Sequence, residues 1–185
     1  GRRVVGMSIK SKVLQKESPE APFKVVEIER RDPREDDVVI DIKAAGICHS
    51  DIHTIQNEWG EAHFPLTVGH EIAGVVEAVG DKVTKFKVGD RVGVGCLVNS
   101  CGECEQCRNH QEQACLNGNV GTYNSTDVDG TITQGGYSQK VVVDERVLAA
   151  GEVVIGSGVR ASKLVVAEAD IAALPGAVVL DLALG

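Results

Sequence analysis

Apolar residues recur in short, regularly spaced runs through most of the chain, and these runs predict strands. In residues 39–43, valine and isoleucine alternate with aspartate and lysine, which is typical of a strand with one buried face. Clusters of Gly, Pro and Asp separate the runs. Short strands at such close spacing favour a mainly β fold, built as a small antiparallel barrel. The predicted strands are residues 8–14, 23–30, 38–44, 73–79, 91–95 and 136–144.

Other segments depart from this strand pattern. Residues 50–57 predict a short helix, and residues 59–65 predict a loop. After about Leu148 the composition shifts to Ala, Val, Leu and Gly, with no Cys, His or aromatic residue. We therefore expect a domain at 7–148 and a short β-α-β-like tail at 149–185. The elements predicted for the tail are a strand at 152–155, a helix at 160–174 and a strand at 177–182.

Composition and charge argue against several classes of partner. The formal net charge of −8 disfavours nucleic acid and anionic membranes. Aromatic residues make up only 3% of the chain, so no surface for stacking bases is predicted. No apolar run approaches the roughly 20 residues that span a bilayer, and the N-terminus lacks the apolar core of a signal peptide. We expect a cytoplasmic protein that binds neither nucleic acid nor membrane.

Four of the six cysteines form the pattern Cys101-x2-Cys104-x2-Cys107-x7-Cys115. Thiols separated by two residues favour convergence on one metal over disulfide pairing. Four thiolates surround zinc tetrahedrally and leave no open position, which makes such a site structural. An iron–sulfur cluster is the alternative, although bacterial ferredoxins place the fourth cysteine after three residues and before a proline. Cys96 lies on a predicted strand and is expected to be a buried apolar side chain.

A second set of metal-capable residues is Cys48 together with the stretch Gly69-His70-Glu71-Ile72-Ala73-Gly74. A catalytic zinc needs two or three protein ligands and an open position, and Cys48 with His70 offers a thiolate and an imidazole. Glu71 is either a further ligand or a charge partner of the metal. Gly74 excludes the His-Glu-x-x-His proteases, because their second histidine would stand there.

The polar neighbours of Cys48 suit supporting roles. Asp51 can accept a ring N–H from a histidine that binds metal, which is a common arrangement at zinc sites. Ser50 and His53 can pass a proton from a bound alcohol toward solvent. A single cysteine or histidine is usually structural, so it is this combination of residues that indicates catalysis.

These motifs resemble those of a known family. The pattern Gly69-His70-Glu71-x2-Gly74-x5-Gly80-x2-Val83 is similar to the zinc signature of medium-chain alcohol dehydrogenases. The resemblance extends over about residues 8–148. It implies a GroES-like barrel with a four-cysteine zinc lobe, the catalytic domain of an NAD(P)-dependent enzyme that interconverts alcohols with aldehydes or ketones on zinc. The stretches that resemble the cinnamyl alcohol dehydrogenase branch are residues 46–53, 92–96, 121–124 and 135–138.

The resemblance also implies roles for individual residues. It assigns binding of a catalytic zinc to Cys48, His70 and, as an alternate ligand, Glu71, with Asp51 supporting them. It assigns proton transfer to Ser50 and His53 and substrate contact to Trp59. It assigns the structural zinc to Cys101, Cys104, Cys107 and Cys115.

The chain departs from the family where a nucleotide-binding domain is expected. The family has a further zinc-binding cysteine just beyond the barrel, but no cysteine follows Cys115. Residues 149–185 are too few for a six-stranded Rossmann domain. We therefore expect little or no activity from this chain by itself, and its apolar tail favours association into a homo-oligomer. The alternative function is a zinc-stabilised barrel that acts as a scaffold or interaction module.

The tail matches a dinucleotide-binding fingerprint in outline. Gly156, Gly158 and Ala161 follow a short apolar strand, and Asp181 lies twenty residues after Ala161. Two glycines and an alanine occur at this spacing by chance. We therefore favour a structural extension that covers barrel surface, with dinucleotide binding as the alternative.

Overall fold

The computed structural model describes residues 8–150, 152–156 and 163–167. Short antiparallel strands dominate the fold. The strands are β1 (Ile9–Gln15), β2 (Lys24–Arg30), β3 (Asp37–Gly46), β4 (Glu71–Val79), β5 (Arg91–Val94), β6 (Leu97–Asn99), β7 (Val120–Gly121), β8 (Lys140–Asp144), β9 (Ala149–Ala150), β10 (Glu152–Gly156) and β11 (Lys163–Ala167). The helices are α1 (His49–Ile55), α2 (Glu105–Arg108) and two 3₁₀ turns, Glu112–Ala114 and Glu145–Val147. Among these described elements, no helix is long and apolar enough to cross a membrane.

The central element is β3, which lies in a five-stranded antiparallel sheet of order β8-β3-β4-β5-β9. Val38 and Ile40 are fully buried in the core on one face of β3. Val39 packs on the opposite face against Ile9 of β1, so the β1–β2 hairpin covers that face. Burial of each such side chain contributes about 1.5–3 kcal/mol. A core on both faces fixes the register of β3, because a slip of one residue would exchange its two faces.

Pairing of β3 with β4 brings two chemically important segments together. The ladder is irregular between Ile42 and Ala44, where a bulge re-aims the strand. Beyond it, Gly46 at the end of β3 lies opposite Glu71 at the start of β4. The end of β3 and the start of β4 therefore meet at one end of the sheet.

The mainly β, antiparallel fold predicted from the apolar pattern is confirmed. The six predicted strands correspond to β1, β2, β3, β4, β5 and β8, and the predicted short helix to α1. Residues 59–65 form a loop, as predicted. The pattern missed β6 and β7, which are only three and two residues long.

The tail differs from its prediction. The strand at 152–155 is confirmed within β10, but the helix predicted for 160–174 is wrong at Lys163–Ala167, which forms β11 and pairs antiparallel with β10. The paired valines of this segment favour a strand over a helix. The rest of that predicted helix and the strand predicted at 177–182 lie outside the described residues.

Cys96 also differs from its prediction, because it is exposed rather than buried. The strand β5 ends at Val94, and the chain bends before β6 begins. Thr122 fixes this bend: its Oγ1 donates to the Gly95 carbonyl at 2.6 Å, and its N–H donates to the Cys96 carbonyl at 3.0 Å. The bend places the Cys96 side chain at the surface.

Candidate metal centre

Seven metal-capable side chains form two clusters among the described residues. Within each cluster, one donor atom from every residue lies within 4.8 Å of all the others. The structure thus brings together the residues of both predicted sets. The first cluster is Cys48, His70 and Glu71, and the second is Cys101, Cys104, Cys107 and Cys115.

Cys48 lies between β3 and α1. It caps the N-terminus of α1 with extended backbone angles, φ −102° and ψ 150°. Asp51 accepts the Cys48 backbone N–H at Oδ2 over 3.0 Å, which satisfies a donor that would otherwise be unpaired at the helix start. The Cys48 thiol, fixed at this point, lies 3.5 Å from the hydroxyl oxygen of Ser50.

His70 and Glu71 lie where the chain enters β4. Gly69 precedes them with φ +105°, a conformation that favours glycine. A Cβ atom at Gly69 would lie 2.8 Å from Cδ1 of Tyr137. A Cβ atom at Gly46 would lie 2.5 Å from Oε2 of Glu71. The lack of a side chain at Gly46 and Gly69 therefore leaves room for the Glu71 carboxylate and the Tyr137 ring.

Asp51 joins the two segments of the first cluster and is 2% exposed. Its Oδ2 accepts from Cys48 N–H and from the Tyr137 hydroxyl, the latter at 2.7 Å. Its Oδ1 accepts from Gly69 N–H at 3.2 Å and lies 3.4 Å from Nδ1 of His70. Burial by itself raises the pKa of Asp51, but the hydrogen bonds from His70, Tyr137 and Cys48 hold that pKa below its usual value. The buried carboxylate is therefore ionised.

The lowered pKa of Cys48 favours the thiolate that binds metal, whereas the raised pKa of His70 favours a protonated ring, which must lose a proton before it binds metal. Burial by itself lowers the pKa of His70, but Asp51 and Cys48 raise it above its usual value. Burial by itself raises the pKa of Cys48, but hydrogen bonds with Ser50 and His70 bring it below its usual value. Because Nδ1 of His70 faces Asp51, Nε2 is the ring nitrogen available to a metal. A thiolate, an imidazole and a carboxylate with one open position fit a catalytic zinc.

The residues predicted to relay protons lie on α1. Ser50 is beside the Cys48 thiol, and His53 lies one helical turn further on. Nδ1 of His53 contacts the Glu58 carboxylate, and the His53 ring stacks on Trp59 with 4.8 Å between ring centroids. The pattern alone gave no role to Glu58, which is exposed. The relay itself remains a prediction.

An apolar cavity of about 350 Å³ lies beside α1. The polar residues of its wall are Lys43, Asp51, Tyr137 and Ser138. Trp59, which is 66% exposed, does not line this cavity, so its predicted contact with substrate stays a prediction. The apolar part of the wall includes Leu14, Phe23, Ile47, Ile52 and Ile55.

The second cluster surrounds α2. Cys104 caps the N-terminus of α2, Cys107 lies within it, and Cys115 follows the next 3₁₀ turn. The Sγ atoms of Cys101 and Cys107 are 3.9 Å apart. Four thiolates at about 2.3 Å from a tetrahedral zinc have their sulfur atoms about 3.8 Å apart. The observed spacing therefore fits a closed, structural zinc site.

Backbone amides stabilise negative charge in this lobe. Cys104 N–H donates to Cys101 Sγ at 3.4 Å, and the N–H groups of Glu103 and Cys104 lower the pKa of Cys101 to about 6. A hydrogen bond with Ser100 lowers the pKa of Cys107, but burial and the neighbouring Cys104 raise it to about 11. The thiols therefore do not all ionise by themselves, and a bound dication would displace the remaining protons.

Of the predicted dinucleotide fingerprint, only Gly156 lies among the described residues, so dinucleotide binding stays a prediction. Such a fingerprint needs a helix after the glycine turn, because the helix N-terminus receives the pyrophosphate. Gly156 instead ends β10 and pairs with Lys163 of β11 in a hairpin. Gly158 and Ala161 lie outside the described residues. Contacts of β10 with β4 and β9 agree with the favoured interpretation of a structural extension.

Two tyrosines, Tyr123 and Tyr137, lie beside the first cluster, and the sequence pattern predicted no role for either. The ring of Tyr123 lies 5.5 Å from that of His70, and Tyr137 donates to Asp51. Burial, together with the charge of Asp51, raises the pKa of both phenols, so both remain protonated donors. Their presence in two of the family-like stretches is the signal by which they could have been found.

Comparison with known proteins identifies the larger family. Residues 34–153 match the model of the alcohol dehydrogenase GroES-like domain. The chain is 61% identical over 136 residues to the probable formaldehyde dehydrogenase AdhA of Bacillus subtilis, covering 74% of this chain and 39% of that protein. It is 61% identical over 119 residues to the probable cinnamyl alcohol dehydrogenase 3 of Oryza sativa, covering 64% of this chain and 32% of that protein.

The fold is also similar to a solved structure. The crystal structure of CAD from Helicobacter pylori complexed with NADP(H) superposes with a TM-score of 0.74 and 46% sequence identity. The match covers 78% of this chain and 42% of that one. The chain thus spans about two fifths of the length of these proteins or less.

Proposed function

We propose that this chain, which belongs to the alcohol dehydrogenase GroES-like domain family, supplies the metal-binding half of the active site of a zinc- and NADP-dependent alcohol dehydrogenase. The resemblance predicted from the sequence motifs, including that to the cinnamyl alcohol dehydrogenase branch, is confirmed. The substrates would be small alcohols and the matching aldehydes or ketones. The observation that supports this function most directly is the convergence of Cys48, His70 and Glu71 on one point.

Each residue of the centre has a chemical role in this proposal. Cys48, His70 and Glu71 would hold a zinc ion, which would supply Lewis-acid polarisation of a substrate oxygen. The hydride chemistry would be that of a nicotinamide such as the NADP(H) bound by the Helicobacter pylori relative. Asp51 orients His70 and balances its charge. Because three protein donors leave one tetrahedral position open, the centre can accept a substrate oxygen, whereas the four-cysteine lobe cannot.

Proton transfer would follow α1. The Ser50 hydroxyl, next to Cys48, lies where it can take the proton of a substrate alcohol or return it. His53 can hold that proton one helical turn further along. The exposed carboxylate of Glu58 contacts Nδ1 of His53 and connects the path to solvent.

The open position is the property to test. We expect Co²⁺ bound at the Cys48 cluster to change its visible absorption when cinnamyl alcohol is added, because the alcohol oxygen enters the coordination sphere. In a Cys48→Ser variant, Co²⁺ is confined to the four-cysteine lobe, and its visible absorption should not change when the alcohol is added. An unmodified chain whose Co²⁺ spectrum is unchanged by the alcohol would have only closed sites, and the proposed function would be wrong.

A further inference from the structure

We infer that Tyr137 is a positioning residue for the metal centre: its hydroxyl holds the carboxylate of Asp51, and Asp51 in turn orients His70. This inference rests on the proposed function, because the orientation of His70 matters for chemistry only where His70 binds a metal. The Tyr137 hydroxyl donates to Asp51, and it is through Asp51 that Tyr137 acts on His70.

The hydrogen bond from Tyr137 is the shortest of those that Asp51 accepts. The Tyr137 hydroxyl lies 2.7 Å from Oδ2, against 3.0 Å for the Cys48 N–H on the same oxygen. The contacts of Oδ1 with Gly69 N–H and His70 Nδ1 are longer, at 3.2 and 3.4 Å. A short O–H bond to an ionised carboxylate is about twice as strong as a neutral one. With Oδ2 held from two sides, the carboxylate cannot rotate, and Oδ1 stays directed at His70.

The fold places the Tyr137 ring where its hydroxyl reaches Asp51. Tyr137 N–H donates to the Val68 carbonyl at 3.0 Å, and Gly136 N–H donates to the Gly69 carbonyl at 2.8 Å. These bonds hold the two segments side by side. The ring crosses the backbone at Gly69, where a Cβ atom would lie 2.8 and 2.9 Å from Cδ1 and Cε1 of Tyr137. The segment before His70 is therefore shaped around this ring.

A packing role and a positioning role for Tyr137 predict different results. The ring also lines the apolar cavity, and phenylalanine would fill that wall equally well. The hydroxyl is the part that phenylalanine lacks, and its hydrogen bond goes to Asp51. If Tyr137 only packs, Tyr137→Phe leaves metal binding unchanged. If it positions Asp51, the same change weakens the metal at the Cys48 cluster alone.

The test is a Co²⁺ titration of the 185-residue chain with zinc retained in the four-cysteine lobe. We expect Tyr137→Phe to weaken Co²⁺ binding at the Cys48 cluster by about tenfold, the lower end for loss of a group that supports a ligand. The visible absorption of the bound Co²⁺ should also shift, because the His70 imidazole loses its fixed orientation. In combination with Asp51→Asn, Tyr137→Phe should add no further loss, because both changes break the same link.

Ser138→Ala is the matched control. Ser138 is the next residue, is buried, and accepts from Arg30 at 2.6 Å, but it does not contact Asp51. We expect it to reduce stability without changing Co²⁺ affinity. Equal Co²⁺ affinity in Tyr137→Phe and the unmodified chain overturns the inference, as does an equal loss in Ser138→Ala or a loss of lobe zinc in Tyr137→Phe. Failure of the unmodified chain to bind Co²⁺ at Cys48 contradicts the proposed function instead.

Discussion

At Gly69, two requirements coincide in one residue. Its φ of +105° is unfavourable for any residue with a side chain, and the Tyr137 ring occupies the space that a Cβ atom would need. The same residue donates its N–H to Asp51. The geometry of His70, the next residue, therefore depends on the absence of a side chain at position 69.

We expect Gly69→Ala to destabilise the protein in two ways. The backbone conformation should cost about 1–2 kcal/mol, and the overlap with Tyr137 should cost a further 1–3 kcal/mol or so. Gly89→Ala is the matched control, because Gly89 has φ +93° but open space around it. Urea denaturation measures the backbone cost in both variants and the added cost of the overlap with Tyr137 in Gly69→Ala alone. A loss no larger in Gly69→Ala than in Gly89→Ala would show that the contact with Tyr137 is unimportant.

Single residues of the site could be predicted from the sequence where their chemistry is local. Cys48, Ser50 and Asp51 stand within four positions, and His70 with Glu71 belongs to a recognisable motif. Tyr137 could not be found in this way, because it lies 86 positions from Asp51 and its role exists only once β3, β4 and β8 have paired. Glu58 was missed for a different reason: an exposed glutamate in a loop carries no pattern of its own.

At the scale of elements, a buried ion-pair network joins the turn between β2 and β3 to the loop between β7 and β8. The Arg31 guanidinium pairs with Asp37 through two nitrogens and contacts Asp127 through Nε at 2.8 Å. Arg34 adds a contact with Asp127 at 3.2 Å, and Asn99 Nδ2 donates to Asp127 at 3.1 Å. These polar and charged groups hold the loop between β7 and β8 in place.

Asp127 makes this connection sensitive to acid. Burial by itself raises its pKa, but hydrogen bonds from Val128 N–H and Asn99 and the charges of Arg31 and Arg34 hold that pKa below its usual value. A carboxyl with a depressed pKa stabilises the folded state above its unfolded pKa, and the contribution is lost as the pH falls through the folded pKa. Acid should therefore weaken the attachment of this loop.

We expect Asp127→Asn to lower the free energy of unfolding by about 3 kcal/mol at pH 7, because it leaves Arg31 buried without one of its charge partners. The difference from the unmodified chain should begin to shrink below about pH 4, where the carboxyl of the unfolded chain takes up a proton, and it should disappear as the pH falls through the lower pKa of folded Asp127. Urea denaturation at pH 7 and pH 3 measures both values. Asp32→Asn, an exposed change on the same turn, should have little effect. A loss from Asp127→Asn that is the same at both pH values would contradict the assignment.

The elements themselves followed from the sequence wherever apolar periodicity was sustained. β3 and β4 have nine or more residues each and were found, whereas β6 and β7 are too short for a period to be detected. In the tail, the sequence predicts a helix over residues 160–174, but Lys163–Ala167 forms a strand. Pairing with β10 decides its conformation, and pairing is not visible in a short run of residues.

In the molecule as a whole, the described residues form two clusters of metal-capable side chains of different kinds. The end of β3 and the start of β4 present the Cys48 cluster with an open position, and the lobe around α2 presents a closed set of four thiols. Both clusters lie within residues 34–153, the part of the chain that matches the family model. The match covers about two fifths of AdhA, so the remaining requirement, a nicotinamide, is part of the proposal.

We propose that the chain holds two zinc ions at two independent sites, and counting the bound zinc distinguishes this arrangement from a single structural site. Native mass spectrometry of the zinc-loaded chain should give two ions, with one after Cys48→Ser and one after Cys104→Ser. Cys96→Ser, at an exposed cysteine outside both clusters, should still give two. One zinc ion in the unmodified chain, unchanged by Cys48→Ser, would contradict the account and leave a zinc-stabilised scaffold in its place.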